Sequence, residues 1–309
     1  MSARLPTGRS ASDWSLFCLL TLFWAGAYAL TRVAVDKGNP EMGLPVAWVL
    51  PGRLVIGAVV LWIIMLARGQ RLPPLADRRR WLVIISMGLT GSVFPFFLIT
   101  TAQQTVNSSL AALYTAAVPI FVASGATFLF HDEKMTRSSL VGVLIGFAGI
   151  VVLFGPDAMK GLGDASVIAQ ILLILATVNY AVSSLVARGA PVMEAMPFAT
   201  GFVTVAAIVS LPLAFTVTPS EVNADWSHWG AVLALGIGPS AVAQALYMFL
   251  IARTSATFLS LTGYSIPVVS AALGWLFFRE TQSWQALVAF VLILGGVWLA
   301  RGGGGVKEG

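Results

Sequence analysis

Residues 114–133 read YTAAVPIFVASGATFLFHDE, and residues 262–280 read TGYSIPVVSAALGWLFFRE. Each is an apolar run with an internal proline and a glutamate where it stops. A shift of 148 residues lays Pro119 on Pro267, Leu113 on Leu261, Ala123 on Ala271 and Phe130 on Phe278. The same shift carries Gly88 onto Gly236 and Ser92 onto Ser240, and one residue of slippage then brings Glu133 to Glu280 and Gly149 to Gly296. WAGAYALTR (24–32) and YAVSSLVAR (180–188) match more weakly. The chain is two related halves.

Composition says where such a chain lives. Its 309 residues are 58% hydrophobic and 10% charged, with a mean hydropathy of +0.87. Soluble domains carry roughly a quarter charged residues. The apolar residues come in long uncharged blocks such as Leu235–Ala252, and a block of about 18 is long enough to cross a bilayer as a helix. A membrane β-barrel would instead show short segments of alternating polarity, which are not seen. The single cysteine, Cys18, excludes an internal disulfide framework and a cysteine metal cluster. Trp14–Leu30 has no small-residue cleavage site followed by a soluble domain, so it reads as a retained first helix.

Breaks at clusters of charge, Gly and Pro give ten spans, near 13–35, 44–67, 80–104, 107–130, 137–154, 165–187, 195–215, 228–251, 255–278 and 283–301. With a cytoplasmic N-terminus, the inside holds Arg4, Arg9, Arg68, Arg71, Arg78, Arg79, Arg80, Lys134, Arg137, Arg188, Arg253, Arg301 and Lys307. The outside holds Arg32, Lys37, Lys160 and Arg279. Thirteen against four places both termini in the cytoplasm. The net charge of +5 is largely this bias. A nucleic-acid partner is not indicated, because ADRRR (76–80) is one short cluster without a basic domain around it.

Five spans per half is an odd number, so the halves must cross the membrane in opposite directions. The organisation expected is a cytoplasmic tail (1–12), a first repeat (13–154), a linking loop (155–164), a second repeat (165–301) and a Gly-rich cytoplasmic tail (302–309). Inverted repeats are a common plan for secondary transporters, with the substrate at the midplane between the halves. The paired prolines would then bend two symmetry-related helices and leave carbonyls for water or substrate to satisfy. A lone proline would be a kink and nothing more. Glu133 and Glu280, at helix ends, read as solvated boundary charges.

The proline–glutamate helix followed by a Gly-rich helix (GVLIGFAGIVVLF, AFVLILGGVWLA) occurs in both halves. With LFWAGAYALTRVA in the first helix and RLVIGAVV in the second, it resembles the EamA family of the drug/metabolite transporter superfamily over residues 13–301. The first half departs slightly, with FHDE where many members have a shorter LGE turn. The resemblance implies an all-α integral membrane protein of ten transmembrane helices, arranged as two inverted five-helix repeats around a central cavity. Helices 1, 3, 4, 6, 8 and 9 would line the cavity, and helices 5 and 10 would lie outside. It also implies a multi-pass protein of the bacterial inner membrane that exports small metabolites, amino acids among them, or drug-like solutes.

Polar and aromatic side chains within spans are the candidate cavity residues. Trp24 and Tyr28 share a face of helix 1 with Thr21 and Thr31. Helix 3 ends in Gln103. Helix 4 offers Thr115 beside Pro119. Helix 6 offers Asn179 with Ser183, and Tyr180 with Ser184. Helix 8 carries Gln244 with Ser240 and Tyr247, and helix 9 carries Tyr264 and Pro267 beside Ser260. Trp24 and Tyr264, one from each half at similar depth, are expected to flank a ligand. The competing reading is that Ser, Thr and Asn only join helices. Arg53 is the charge placed well inside a span, where it snorkels outward, gates a passage or touches substrate. The spans hold no mid-membrane Asp or Glu, which disfavours a buried carboxylate proton relay.

Other classes fit less well. His131 and His228 lie in different loops, and no zinc motif or catalytic triad spacing is present, so neither an enzyme, a metal nor a cofactor is indicated. A non-transporting structural or receptor subunit would not explain the polar faces. The partners expected are a small-molecule solute and the bilayer. Gly142 and Gly146 read as internal helix packing rather than a dimer face, and the oligomeric state stays open.

Overall fold

A computed structural model describes residues 10–37, 42–129, 136–155, 164–219, 222–254, 256–259 and 261–302. Among these there are helices and loops and no strand. Eight helices are long and apolar enough to cross a membrane: α1 (Ala11–Ala34), α2 (Val46–Ala67), α3 (Arg78–Ala102), α4 (Ser108–Leu129), α5 (Arg137–Phe154), α6 (Ala165–Arg188), α7 (Ala195–Thr216) and α8 (Trp226–Leu250). Two shorter apolar helices follow, α9 (Thr262–Phe278) and α10 (Trp284–Gly302). Glu133, His131, Lys134, Lys160 and Ser260 lie outside the described residues, as do most of both tails.

The starts are encoded locally. Ser10 and Asp13 form a capping box on α1, Asp77 caps α3, Thr136 caps α5, Asp164 caps α6, and Asp225 with His228 boxes α8. Each cap oxygen accepts from an amide that has no partner within the helix. The turn between α1 and α2 needs Gly43. Its φ is +101°, and a Cβ there would stand 2.7 Å from the Val35 carbonyl.

Several spans are not uniform. α3 contains a π-helical stretch at Leu89–Val93, and α8 contains one at Gly236–Val242 around Pro239, which lacks an amide proton. α4 is interrupted at Ala116–Ala117. Pro119 is the second residue of the segment that resumes at Val118, where its missing N–H is an orphan in any case. It therefore follows a break rather than bending a continuous helix. Pro267 does sit within a continuous helix, α9, buried. A single helical turn, Ala256–Leu259, precedes α9 in the chain. The two prolines are matched in sequence and differ in local geometry.

α5 packs along α10, α2 against α7, α1 against α9, and α6 against the later halves of α3 and α4. Glycine sets the closest approach. A Cβ on Gly142 would meet the Gly296 carbonyl at 2.5 Å, and one on Gly146 would enter the Ile120 side chain. These glycines are internal packing positions. One buried cluster joins α3–α6 with α10, through Leu113, Tyr114, Ile120, Leu173 and Ile293. A second joins α2, α3, α7 and α8, through Leu54, Leu61, Ile84, Phe202 and Ala241. Large apolar side chains also point outward, among them Ile63, Val151, Phe277 and Trp298, as a lipid-facing surface requires.

Candidate functional site

Arg53 does not snorkel. It is 5% exposed, seven residues into α2, or about 10 Å of helix at 1.5 Å per residue. Its Nε donates to Ser240 Oγ at 3.2 Å, and its guanidinium carbon lies 3.9 Å from the centre of the Phe96 ring. Tyr28 and Tyr180 lie within electrostatic range of it. Glycines make this possible. A Cβ on Gly57 would press on Ser240 Cβ at 2.9 Å, and one on Gly236 would press on Ile56 at 2.5 Å. α8 can therefore lie on α2, and its π-helical stretch turns Ser240 toward Arg53. Such π segments occur often at functional sites.

Tyr28 is held in place by two contacts. Its hydroxyl lies 2.6 Å from Thr115 Oγ1, and Thr115 donates to the Ala112 carbonyl at 2.9 Å, so the phenol proton goes to Thr115. Gln103 Nε2 donates to the Tyr28 carbonyl at 2.8 Å. Thr115 is the last residue before the α4 break, so that interruption and the Tyr28 contact coincide.

The remaining candidates divide. Tyr28, Tyr180 and Tyr264 all pack against the cluster that joins α3–α6 with α10. Trp24 packs elsewhere, tilted against Tyr247 with ring centres 5.3 Å apart, beside Leu20, Leu250 and Leu259. Trp24 and Tyr264 thus belong to different clusters. Asn179 donates to the Leu175 carbonyl of its own helix at 2.8 Å, and Ser184 does the same to Tyr180 at 2.9 Å. Ser183 is buried at the α3–α6 contact, 3.3 Å from Met87 Sδ, and a Cβ on Gly91 would stand 2.7 Å from its hydroxyl. Gln244 is half-buried on α8, and Pro267 is buried in α9.

A second polar centre was not legible in the sequence. Glu280 is a buried carboxylate, 4% exposed, not a solvated boundary charge. It accepts from Ser108 N at 3.0 Å, Ser108 Oγ at 2.9 Å, Ser109 N at 3.3 Å and Ser109 Oγ at 2.9 Å, and pairs with Arg32. It caps α4 from another part of the chain, at the positive end of that helix dipole. Burial alone would raise its pKa, but the hydrogen bonds from Ser108 and Ser109 outweigh burial and hold it below the ordinary carboxylate value. Gln282 donates to Ser109 Oγ at 2.9 Å, and Lys37 reaches Asn107. Burial, with Arg32 nearby, lowers the Lys37 ammonium. His228 Nδ1 accepts the Asp225 amide at 3.0 Å, which leaves the Nε2 proton facing Asp36 Oδ2 at 3.2 Å. Two clefts, of about 150 and 270 Å³, open at this end around Arg32, Asp36, His228 and Asn223. The signal available beforehand was topological: every one of these residues falls on the same side in a ten-span reading. Among the described residues no three His, Cys, Asp or Glu side chains gather as metal ligands would.

The profile of the EamA-like transporter family matches residues 14–155 and, a second time, residues 167–302. The chain belongs to the EamA-like transporter family. Among its relatives is the Escherichia coli K12 "Uncharacterized inner membrane transporter YedA", 28% identical and aligned over 91% of this chain and 89% of that one. A "Probable terminal-alkyne amino-acid exporter" of Streptantibioticus cattleyicolor is 26% identical over 94% and 93% of the two chains. The "Pseudopaline exporter CntI" of Pseudomonas aeruginosa is 24% identical over 89% and 92%. A crystal structure 26% identical superimposes with a TM-score of 0.62, covering 91% of this chain and 98% of its own. The family and the names of these relatives point to a transporter role.

Proposed function

We propose that this EamA-like chain is a secondary transporter that exports a small organic solute, amino-acid-like or drug-like, across the bacterial inner membrane by alternating access. Its ten spans would form two inverted five-helix repeats, 13–154 and 165–301, with both termini cytoplasmic. The observation that carries this reading is the buried contact of Arg53, from the first half, with Ser240, from the second. A polar centre shared between halves is what a site exposed to each side in turn requires.

Three further observations support it. The family profile matches twice, once per half. The π-helical stretches Leu89–Val93 and Gly236–Val242 overlap under the 148-residue shift. Helix contacts also pair up: α1 packs on α9 as α6 packs on α4, while α2–α7 and α5–α10 pair each helix with its counterpart. The Glu280 centre would close the external end, leaving the cytoplasmic end as the one through which the solute enters. Purified protein in liposomes should catalyse saturable uptake of a solute that empty liposomes do not take up. Absence of saturable flux across a broad metabolite and drug panel would contradict the reading.

A further inference from the structure

Among the described residues no acid balances the charge of Arg53. Among the described residues these acids are engaged elsewhere: Glu280 with Arg32, Asp77 with Arg80, Asp36 with His228, and Asp225 with the Ser227 amide and hydroxyl. None of them pairs with Arg53. A buried charge without a partner is strongly disfavoured in a membrane interior, where such groups pair or line a pathway. The contacts that Arg53 does make also fix its orientation. Ser240 takes Nε, and Phe96 covers one face. The edge formed by the two terminal nitrogens makes no hydrogen bond among the described residues. That edge is the one that receives two oxygens of a planar anion side by side.

We propose that Arg53 is the binding point for a carboxylate of the transported solute, so that the substrate is a small organic acid or an amino acid. This deepens the transporter reading above and rests on it. The surroundings fit the assignment. The Tyr180 hydroxyl, near enough to Arg53 to interact with its charge, makes no hydrogen bond among the described residues and is free to donate to a carboxylate oxygen. Among the described residues no second cation is seen at the site: Arg32 and Lys37 sit at the Glu280 end, in contact with Glu280 and Asn107. One guanidinium balances one negative charge, which suits a carboxylate and leaves a phosphate dianion half-neutralised. Cationic drugs, which a neutral aromatic cavity would accept, are repelled by Arg53. Phe96, Tyr28 and Tyr180 supply apolar and aromatic surface beside the charge, so the acid should carry an apolar or aromatic body.

The test is thermal stability of the full-length chain in detergent. The probes are the twenty amino acids and benzoate, each beside its carboxamide, together with inorganic phosphate. A ligand that binds the folded state raises the melting temperature with concentration. At least one acid should do so, its amide should not, and Arg53→Gln should abolish the shift. Tyr180→Phe, which deletes one hydroxyl, should raise the half-maximal concentration about tenfold, as expected for a hydrogen bond to a charged group, and keeps the test decisive if Arg53→Gln fails to fold. Shifts by amides equal to those by acids, a shift by phosphate alone, no shift by any acid, or a shift unaltered in Tyr180→Phe and Arg53→Gln would each overturn the proposal. Liposome flux separates this failure from that of the transporter reading. Saturable flux of amides or cations without acids overturns the carboxylate site alone; no flux of any solute overturns the transporter.

Discussion

Glu280 and Ser108 are 172 residues apart in the chain and joined twice, through the Ser108 amide at 3.0 Å and its hydroxyl at 2.9 Å. The pairing makes Glu280, two residues past the end of α9, the cap of α4, and Arg32 of α1 closes the arrangement from the other side. Three helices, α1, α4 and α9, are thus tied at one carboxylate.

Removing that charge should loosen this end of the bundle. Glu280→Gln loses the charge-assisted bonds to α4 and leaves Arg32 without its partner, a cost of about 2 kcal/mol. The sign with pH follows from the lowered Glu280 pKa. The carboxylate's contribution is full above its unfolded value of about 4.3 and is lost as pH falls through the lower folded value. Melting temperature should drop on acidification below about pH 4 in the wild type, and this component should be missing in Glu280→Gln. Identical acid profiles for the two proteins would contradict the role given to Glu280.

The α5–α10 pair should be intolerant of side chains. Backbone from the opposing helix stands at 2.5 Å from a Cβ at Gly142 and likewise at Gly296. Gly142→Leu should therefore cost about 3 kcal/mol or more through overpacking, read as a lower melting temperature in detergent. Trp298→Ala, at a side chain 70% exposed on the same helix pair, should change little.

The two prolines should behave differently despite their matched sequence. Pro119→Ala occupies a first-turn position where proline and alanine are both accommodated, so flux and melting temperature should stay near wild type. Pro267→Ala restores an N–H in the interior of α9, straightens it and should lower flux without reducing membrane insertion. Equal effects of the two would contradict the geometric distinction.

Much of this architecture is visible in the sequence for a simple reason. Hydrophobic blocks must be long enough to cross a bilayer, and Gly, Pro and charge interrupt them, so boundaries such as Ala34–Val46 and Ala67–Arg78 stand out. Arg53 stands out because an isolated charge in a span is conspicuous. What was not visible depends on partners distant in the chain. Nothing local marks Glu280 as buried, because its burial comes from Ser108, Ser109 and Arg32 arriving from other helices. Trp24 and Tyr264 share a depth but not a cluster, since depth follows from position along a span and facing depends on how the helices rotate against each other. The π-helical stretches leave no mark in hydropathy at all.

Topology should follow the arginine bias. A reporter fused after Arg80 should behave as cytoplasmic, and one fused in the loop at 36–43 as external. Both reporters on one side would contradict the inverted arrangement at its first step.

Counterflow in liposomes tests the transporter account most directly. Liposomes holding purified protein are preloaded with an unlabelled solute and diluted into a trace of the labelled form. A carrier that exposes one site alternately to each side should accumulate label transiently above its external concentration and then release it. The account predicts that overshoot, saturating with the internal solute. Label that equilibrates without overshoot, or enters no faster than into protein-free liposomes, would contradict it.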